Sequence, residues 1–116
     1  MGKSKQKTSL KTSIEQTINY LKDYFKIKEV ILFGSRATDQ AGKYSDIDLM
    51  VISPDFKGKS FEEIVNIFSD LAVKCNPYVE LRAYTPEEVK KARPTNFLGH
   101  ILKNGKVVYK GGKLLI

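Results

Sequence analysis

The chain has 116 residues, of which 41% are hydrophobic, and a formal net charge of +7 at pH 7. This length predicts one domain with a single core, and no run of residues is long and apolar enough to predict a membrane span. One cysteine and one histidine exclude a disulfide framework and a zinc site built from spaced Cys and His ligands. The lone cysteine predicts a reducing, cytoplasmic setting in which Cys75 is a buried structural thiol.

The positive charge is concentrated at the two ends of the chain. Residues 1–11 carry four lysines and no acid, and residues 103–113 carry four more lysines. Residues 12–102 hold twelve Lys and Arg against thirteen Asp and Glu, which is a net charge of −1. Basic ends of this kind are more often solvated than used in recognition. Nucleic acid is therefore not an expected partner, whereas an acidic protein surface would be attracted by the same charge. The expected organisation is a flexible tail over 1–11, a domain over 12–110 and a second tail over 111–116.

The first half of the chain predicts one helix and two strands. A capping box at 12–15 predicts the start of a helix that runs to about Tyr24 with one apolar stripe. Short apolar runs predict strands near 29–33 and 47–52, and Pro54 ends the second of them.

The second half predicts two helical segments around a third strand, followed by a last helix. A second capping box at 60–63 predicts a helix with one buried stripe. A strand is predicted over 78–84, and a helix starts after it with Pro86 at its first position. The last helix is predicted from about Asn96 to Lys103.

Two carboxylates, Asp46 and Asp48, lie at the start of the second predicted strand. Because side chains alternate across a strand, both project from one face, with their Cα atoms roughly 6.6 Å apart. That spacing allows both to reach metal ions held about 3.5–4 Å from each other in a two-ion site. Since Mg²⁺ binds through one or two carboxylates together with substrate phosphate oxygens, the pair predicts a magnesium site for phosphoryl chemistry.

A Gly-Ser turn, ten residues before the carboxylates, provides the complementary anion site. Gly34 allows close approach of the backbone to an anion. Ser35 suits the N-cap of a short helix, whose N-terminus would attract phosphate, and Arg36 adds a charge-assisted contact. Either motif alone is commonly an ordinary turn or a solvated strand end. In this order, between two apolar runs, they indicate phosphate binding opposite a metal site.

From Leu32 to Val51 the sequence resembles the minimal nucleotidyltransferases of the DNA polymerase β superfamily, which share Gly-Ser, a spacer of about ten residues and Asp-x-Asp. The segment 79–89 resembles the third strand and following helix of that family, and 97–109 resembles its closing helix and final short strand. The resemblance covers roughly residues 14–110. It implies an α+β two-layer nucleotidyltransferase fold, similar to the polymerase β palm, with a small mixed sheet and helices packed mainly on one face.

The resemblance also implies roles for individual residues. In the family a carboxylate on the third strand completes the metal site and accepts the proton of the attacking hydroxyl. Glu80 occupies that place, where many minimal members carry Asp; the alternative is an ordinary exposed glutamate paired with Arg82 or a lysine. The expected catalytic and metal-binding residues are Asp46, Asp48 and Glu80. The expected nucleotide-binding residues are Gly34, Ser35 and Arg36.

The function implied by the resemblance is Mg²⁺-dependent transfer of AMP from ATP to a hydroxyl, through a two-ion site. A chain of this length has no room for the acceptor domain of larger relatives, so the acceptor is expected on a partner. The resemblance suggests a HEPN-domain toxin, a helical ribonuclease, with this chain as the antitoxin that modifies its tyrosine. Two alternatives stay open: a module that silences its partner by occlusion, with Phe97 and Leu98 at the interface, and nucleotidyl transfer to RNA ends or a small molecule. Self-association is compatible with each of them.

Overall fold

A computed structural model of the chain describes residues 10–34, 46–75 and 77–116. The helices in this part of the chain are α1 (Leu10–Leu21), α2 (Phe61–Lys74), α3 (Pro86–Lys90) and α4 (Phe97–Asn104), with a short 3-10 helix over Pro54–Gly58. The strands are β1 (Glu29–Phe33), β2 (Ile47–Ile52), β3 (Val79–Tyr84), β4 (Lys106–Lys110) and β5 (Lys113–Leu114).

The strands form one mixed sheet in the order β3-β2-β1-β4-β5. β2 pairs with β3 in parallel, and the other neighbouring strands are antiparallel. Parallel neighbours require a long crossover connection, and α2 lies in the connection between β2 and β3. The predicted α+β architecture with a small mixed sheet is confirmed.

The helices cover the two faces of the sheet unequally. The two longest, α1 and α2, pack on the face that carries Leu32 and Leu49, where the larger part of the core lies. The opposite face carries Ile31 and Met50 and is covered by the short helix α4 with side chains of α3. Most of the helical packing is thus on one face, as expected, and the second face is left partly open.

The start of α2 and the start of α3 are each fixed by a capping box. Ser60 Oγ accepts a hydrogen bond from the Glu63 N–H at 3.1 Å, and Glu63 Oε1 accepts one from the Ser60 N–H at 3.0 Å. Thr85 and Glu88 repeat the arrangement, with distances of 3.2 and 2.8 Å. These bonds satisfy backbone N–H groups that a helix start leaves unpaired. The predicted starts of both helices are confirmed.

Three predicted boundaries differ from the structure, and one of them is the end of α1, which lies at Leu21 and not near Tyr24. α1 begins at Leu10, so the 12–15 segment lies inside the helix and does not cap it. The helix extends further because Leu10 packs against the core. At the other end, β5 pairs with β4 and Leu114 packs on the same core, so the predicted tail over 111–116 contains a strand. The predicted tail over 1–11 lies outside the described residues except for its last two, which are helical.

Cys75 is exposed, so the prediction of a buried thiol is wrong. The residue is the C-cap of α2 and follows the last turn of the helix, where the chain leaves the core. None of the helices in the described segments has the length and apolar character needed to cross a membrane.

We predict that Gly99→Ala lowers the free energy of unfolding by about 1–3 kcal/mol, because overpacking of a well-packed contact costs this much. A Cβ on Gly99 would collide with the backbone carbonyl of Arg93, so α4 would have to move away from the preceding loop. The matched control is Gly58→Ala, because a Cβ there meets nothing within 4 Å. Urea denaturation measures both variants, and equal stabilities would contradict this account of the α4 packing.

Candidate active site

Three strands bring their side chains into one row at the open part of the sheet. Phe33 of β1 is the Cα partner of Asp48 on β2, and Asp48 is the Cα partner of Glu80 on β3. Paired residues on neighbouring strands project from the same face, which here is the face covered by α4. Glu80 therefore lies on the same side of the sheet as Asp48, as the predicted site requires.

Asp48 is the exception in a strand that is otherwise buried. The other five residues of β2 are buried, whereas Asp48 is half-buried. Burial raises the pKa of the Asp48 carboxyl, and the charge of Asp46 raises it further, while Arg82 opposes the change. A central strand tolerates this costly group only where something else compensates for it, so Asp48 is a functional-site candidate on physical grounds.

Glu80 is exposed and interacts with the aspartates. A hydrogen bond with the Asp46 side chain raises the pKa of Glu80, the charges of Asp46 and Asp48 add to the increase, and Arg82 opposes it. Within the described residues Glu80 forms no ion pair at 4.0 Å or less. Asp46 and Asp48 are thus close enough to disfavour the ionisation of Glu80, and the role of Glu80 in a metal site stays a prediction.

Gly34 brings the end of β1 against Asp48. Its φ is +78°, in the left-handed region that favours glycine, and a Cβ at this position would collide with Asp48 Oδ2. The turn predicted to bind phosphate therefore begins next to the Asp48 carboxylate, on the side of Asp48 that faces β1. Ser35 and Arg36 lie outside the described residues, so their phosphate contacts stay predictions.

An arginine and two aromatic rings stand beside the carboxylates. The Arg82 guanidinium lies 4.7 Å from the centroid of the Phe97 ring, and Phe97 contacts Phe33 edge to face with centroids 5.9 Å apart. The alternation of β3 places Arg82 on the same face as Glu80, but no sequence signal connects either residue to Phe97. Phe97 is 48% exposed, whereas Leu98 is only 8% exposed, so the prediction that both lie at an exposed interface is wrong for Leu98. Leu98 packs in the core under α4.

The donor set is suited to a hard divalent cation. As placed in residues 10–34, 46–75 and 77–116, no three His, Cys, Asp or Glu side chains surround a single ion position. The chemistry of the group nevertheless fits Mg²⁺, because Asp46, Asp48 and Glu80 offer carboxylate oxygens from one face and their mutual repulsion would be relieved by a cation. The metal site remains a prediction with these three residues as its ligands.

We predict that Asp48→Asn stabilises the metal-free protein at pH 7 by up to about 1 kcal/mol, the size of a like-charge contact between strands. The folded-state pKa of Asp48 lies above its unfolded value, so the folded chain binds more protons and loses stability as the pH rises through that interval. The gain of the variant should therefore shrink as the pH falls through about 4 and disappear near about pH 3, where the carboxyl is protonated in both states.

Urea denaturation at both pH values, in the presence of a chelator, measures this effect. Asp23→Asn, which changes an exposed acid after α1, is the matched control. A gain of the same size at both pH values, or no gain at pH 7, would contradict the electrostatic explanation.

Known proteins are similar to this chain in sequence and in fold. The family described as "Polymerase beta, Nucleotidyltransferase" matches residues 15–113. Two proteins of Methanocaldococcus jannaschii, each named "Putative protein adenylyltransferase" (MJ0604 and MJ1379), are similar in sequence. The first is 26% identical over 99 residues, which cover 84% of this chain and 95% of the relative. The second is 33% identical over 86 residues, which cover 63% of this chain and 86% of the relative.

A solved structure shares the fold. The "Crystal structure of the toxin-antitoxin with AMP-PNP" superposes with a TM-score of 0.57 and 21% sequence identity, covering 88% of this chain and 74% of that chain. The family match spans most of the sequence and includes every strand that carries a carboxylate. The chain therefore belongs to the polymerase beta nucleotidyltransferase family of enzymes and has the nucleotidyltransferase fold.

Proposed function

We propose that the chain transfers AMP from ATP to a tyrosine hydroxyl of a HEPN-domain toxin and thereby acts as its antitoxin. The observation that supports this function most is the position of Glu80 beside Asp48 on one face of the sheet, with the Asp46 side chain hydrogen-bonded to Glu80 and Gly34 against Asp48. Two relatives named as protein adenylyltransferases support a protein acceptor. A structural neighbour described as a toxin-antitoxin with AMP-PNP supports a toxin partner and an adenine nucleotide.

Asp48 lies between β1 and β3, so the attacking and leaving groups of an in-line transfer can be placed on opposite sides of it. Gly34 lies on the β1 side, where the turn is suited to the β- and γ-phosphates, and Glu80 lies on the β3 side, at the edge of the sheet. The acceptor hydroxyl approaches from the Glu80 side, and its oxygen bonds to the α-phosphorus. The bond between the α-phosphorus and the bridging oxygen breaks, and pyrophosphate leaves toward Gly34.

The three carboxylates share one task in this reaction, and Glu80 has a second. Asp46, Asp48 and Glu80 would hold Mg²⁺, which when bound supplies positive charge to the phosphoryl oxygens. Glu80 also accepts the proton of the tyrosine hydroxyl, since its side chain is exposed and hence accessible to an acceptor, whereas Asp48 is half-buried. Predicted contacts from Ser35 and Arg36 orient the leaving phosphates.

We predict that Asp46→Asn with Asp48→Asn reduces the rate of transfer by at least about 100-fold, since even changes to residues that only hydrogen-bond to metal ligands cost about 10–100-fold. The chain is incubated with ATP, Mg²⁺ and the HEPN-domain protein, and the mass of the partner is measured. The wild-type chain should add one or more adenylates to the partner, and the double variant should add none.

The same experiment separates transfer from occlusion. An unchanged partner mass with the wild-type chain, or a double variant that still silences the partner, would indicate a binding module instead. Incorporation of labelled adenylate into tRNA or an aminoglycoside, but not into protein, would reassign the acceptor.

We predict that Glu80→Gln and Glu80→Asp differ in their effects on turnover. Glu80→Gln removes the proton acceptor and should lower kcat by about 100-fold or more, the usual contribution of a positioned base. Glu80→Asp keeps the carboxylate found in many relatives and should retain much of the rate. Initial rates of partner adenylylation measure the two variants, with Glu62→Gln on the exposed start of α2 as the control. Equal rates for wild type and Glu80→Gln would remove Glu80 from the mechanism.

A further inference from the structure

We propose that Arg82, held over the Phe97 ring, is the contact that receives the planar base of the nucleoside triphosphate. This inference rests on the proposed function. In that function the carboxylates and the Gly34 turn contact the phosphates, and no residue has yet been assigned to the base. The ligand class is a nucleobase, recognised by stacking on a guanidinium that itself lies over an aromatic ring.

The sheet places Arg82 directly behind the carboxylate row. Arg82 is the Cα partner of Met50, as Glu80 is of Asp48, so the arginine lies in the next row along the strands. Both rows project from the face that α4 partly covers. A nucleotide whose α-phosphate lies over the carboxylates can therefore reach Arg82 with its nucleoside by extending along β2.

Aromatic contacts hold the guanidinium in place. The Arg82 guanidinium is 4.7 Å from the centroid of Phe97, and Phe97 is braced by Phe33 with the rings at 84°. Phe33 is itself the Cα partner of Asp48 and is the last residue of β1, directly before Gly34. Arg82 is thus connected, through Phe97 and Phe33, to the residues next to Asp48 and Gly34. A preorganised contact of this kind loses less side-chain freedom on binding.

The Arg82 guanidinium is available to a ligand although acidic side chains lie nearby. In the described segments it takes part in no ion pair at 4.0 Å or less, although its charge lowers the pKa of both Asp48 and Glu80. Its side chain is exposed, and Phe97 is also substantially exposed. A guanidinium has two flat faces, so a ring on one side leaves the other available for a base, and arginine planes commonly stack on bases.

The surroundings favour a base over a phosphate at this position. Beside Arg82, the row behind the carboxylates consists of Met50 and Ile31, and both side chains are buried and apolar. Because α4 covers Met50 and Ile31, the surface open to a ligand beside Arg82 is formed by the Phe97 ring, which is 48% exposed. An apolar ring disfavours a phosphate group, which would lose its hydration there, but suits a planar aromatic base. The phosphates have their own place at the Gly34 turn.

Binding of two magnesium complexes tests the assignment: ATP, and inorganic tripolyphosphate, which has the phosphates without the nucleoside. We expect Arg82→Lys and Phe97→Leu to weaken ATP binding by about 5- to 100-fold, the range for loss of one stacked base. Tripolyphosphate binding should change by no more than about twofold, as for a surface substitution. Arg82→Lys keeps the charge, so a purely electrostatic role would leave ATP binding unchanged.

Isothermal titration without the partner protein measures the affinities. The matched controls are Arg93→Lys, in the loop before α4, and Phe61→Leu, on α2 at the opposite face, and both should bind ATP as the wild type does. Equal weakening of ATP and tripolyphosphate, or no weakening of either, would overturn the base contact while leaving the transferase function intact. A wild-type chain that binds neither complex would overturn the proposed function and this inference with it.

Discussion

The parallel register between β2 and β3 is the constraint on which the site depends. It makes Glu80 the direct neighbour of Asp48, although the crossover helix α2 separates them in the chain. Because side chains alternate, a slip of one residue would turn Glu80 to the opposite face and bring Val79 or Leu81 beside Asp48. The register is held by the same alternation, since Val79 and Leu81 pack in the core beneath α1. Packing on one face of the sheet therefore positions the chemistry on the other.

The site is built at a cost to the fold. Asp48 lies in a central strand whose other residues are buried, and it faces two further acids at close range. Arg82 lies in the next row of the sheet, where Phe97 holds its guanidinium, and its positive charge offsets part of the repulsion between the acids. Gly34 contributes in a different way, because its left-handed φ favours glycine and a Cβ there would press on the Asp48 carboxylate. Stability is thus reduced locally in order to concentrate charge, which is typical of catalytic sites.

The sequence predicts the strands well, because they follow from short-range patterns. The apolar runs at 29–33 and 47–52 correspond to β1 and β2, and the alternation along β3 places Glu80 and Arg82 on one face. Features that depend on tertiary contacts are not predictable in this way. Core contacts extend α1 to Leu10 and add β5, and the approach of Phe97 to Arg82 joins two segments that no local pattern connects.

Because the site concentrates negative charge, binding of a ligand there should also increase the stability of the folded chain. A ligand that binds only the folded state at about 100 times its dissociation constant adds about 2.7 kcal/mol to stability, more than a like-charge contact removes. The unfolded chain does not hold Glu80 beside Asp48, so a ligand that neutralises this cluster favours the folded state. A loaded molecule should consequently resist proteolysis better than an empty one, and its abundance in the cell would follow the supply of whatever fills the site.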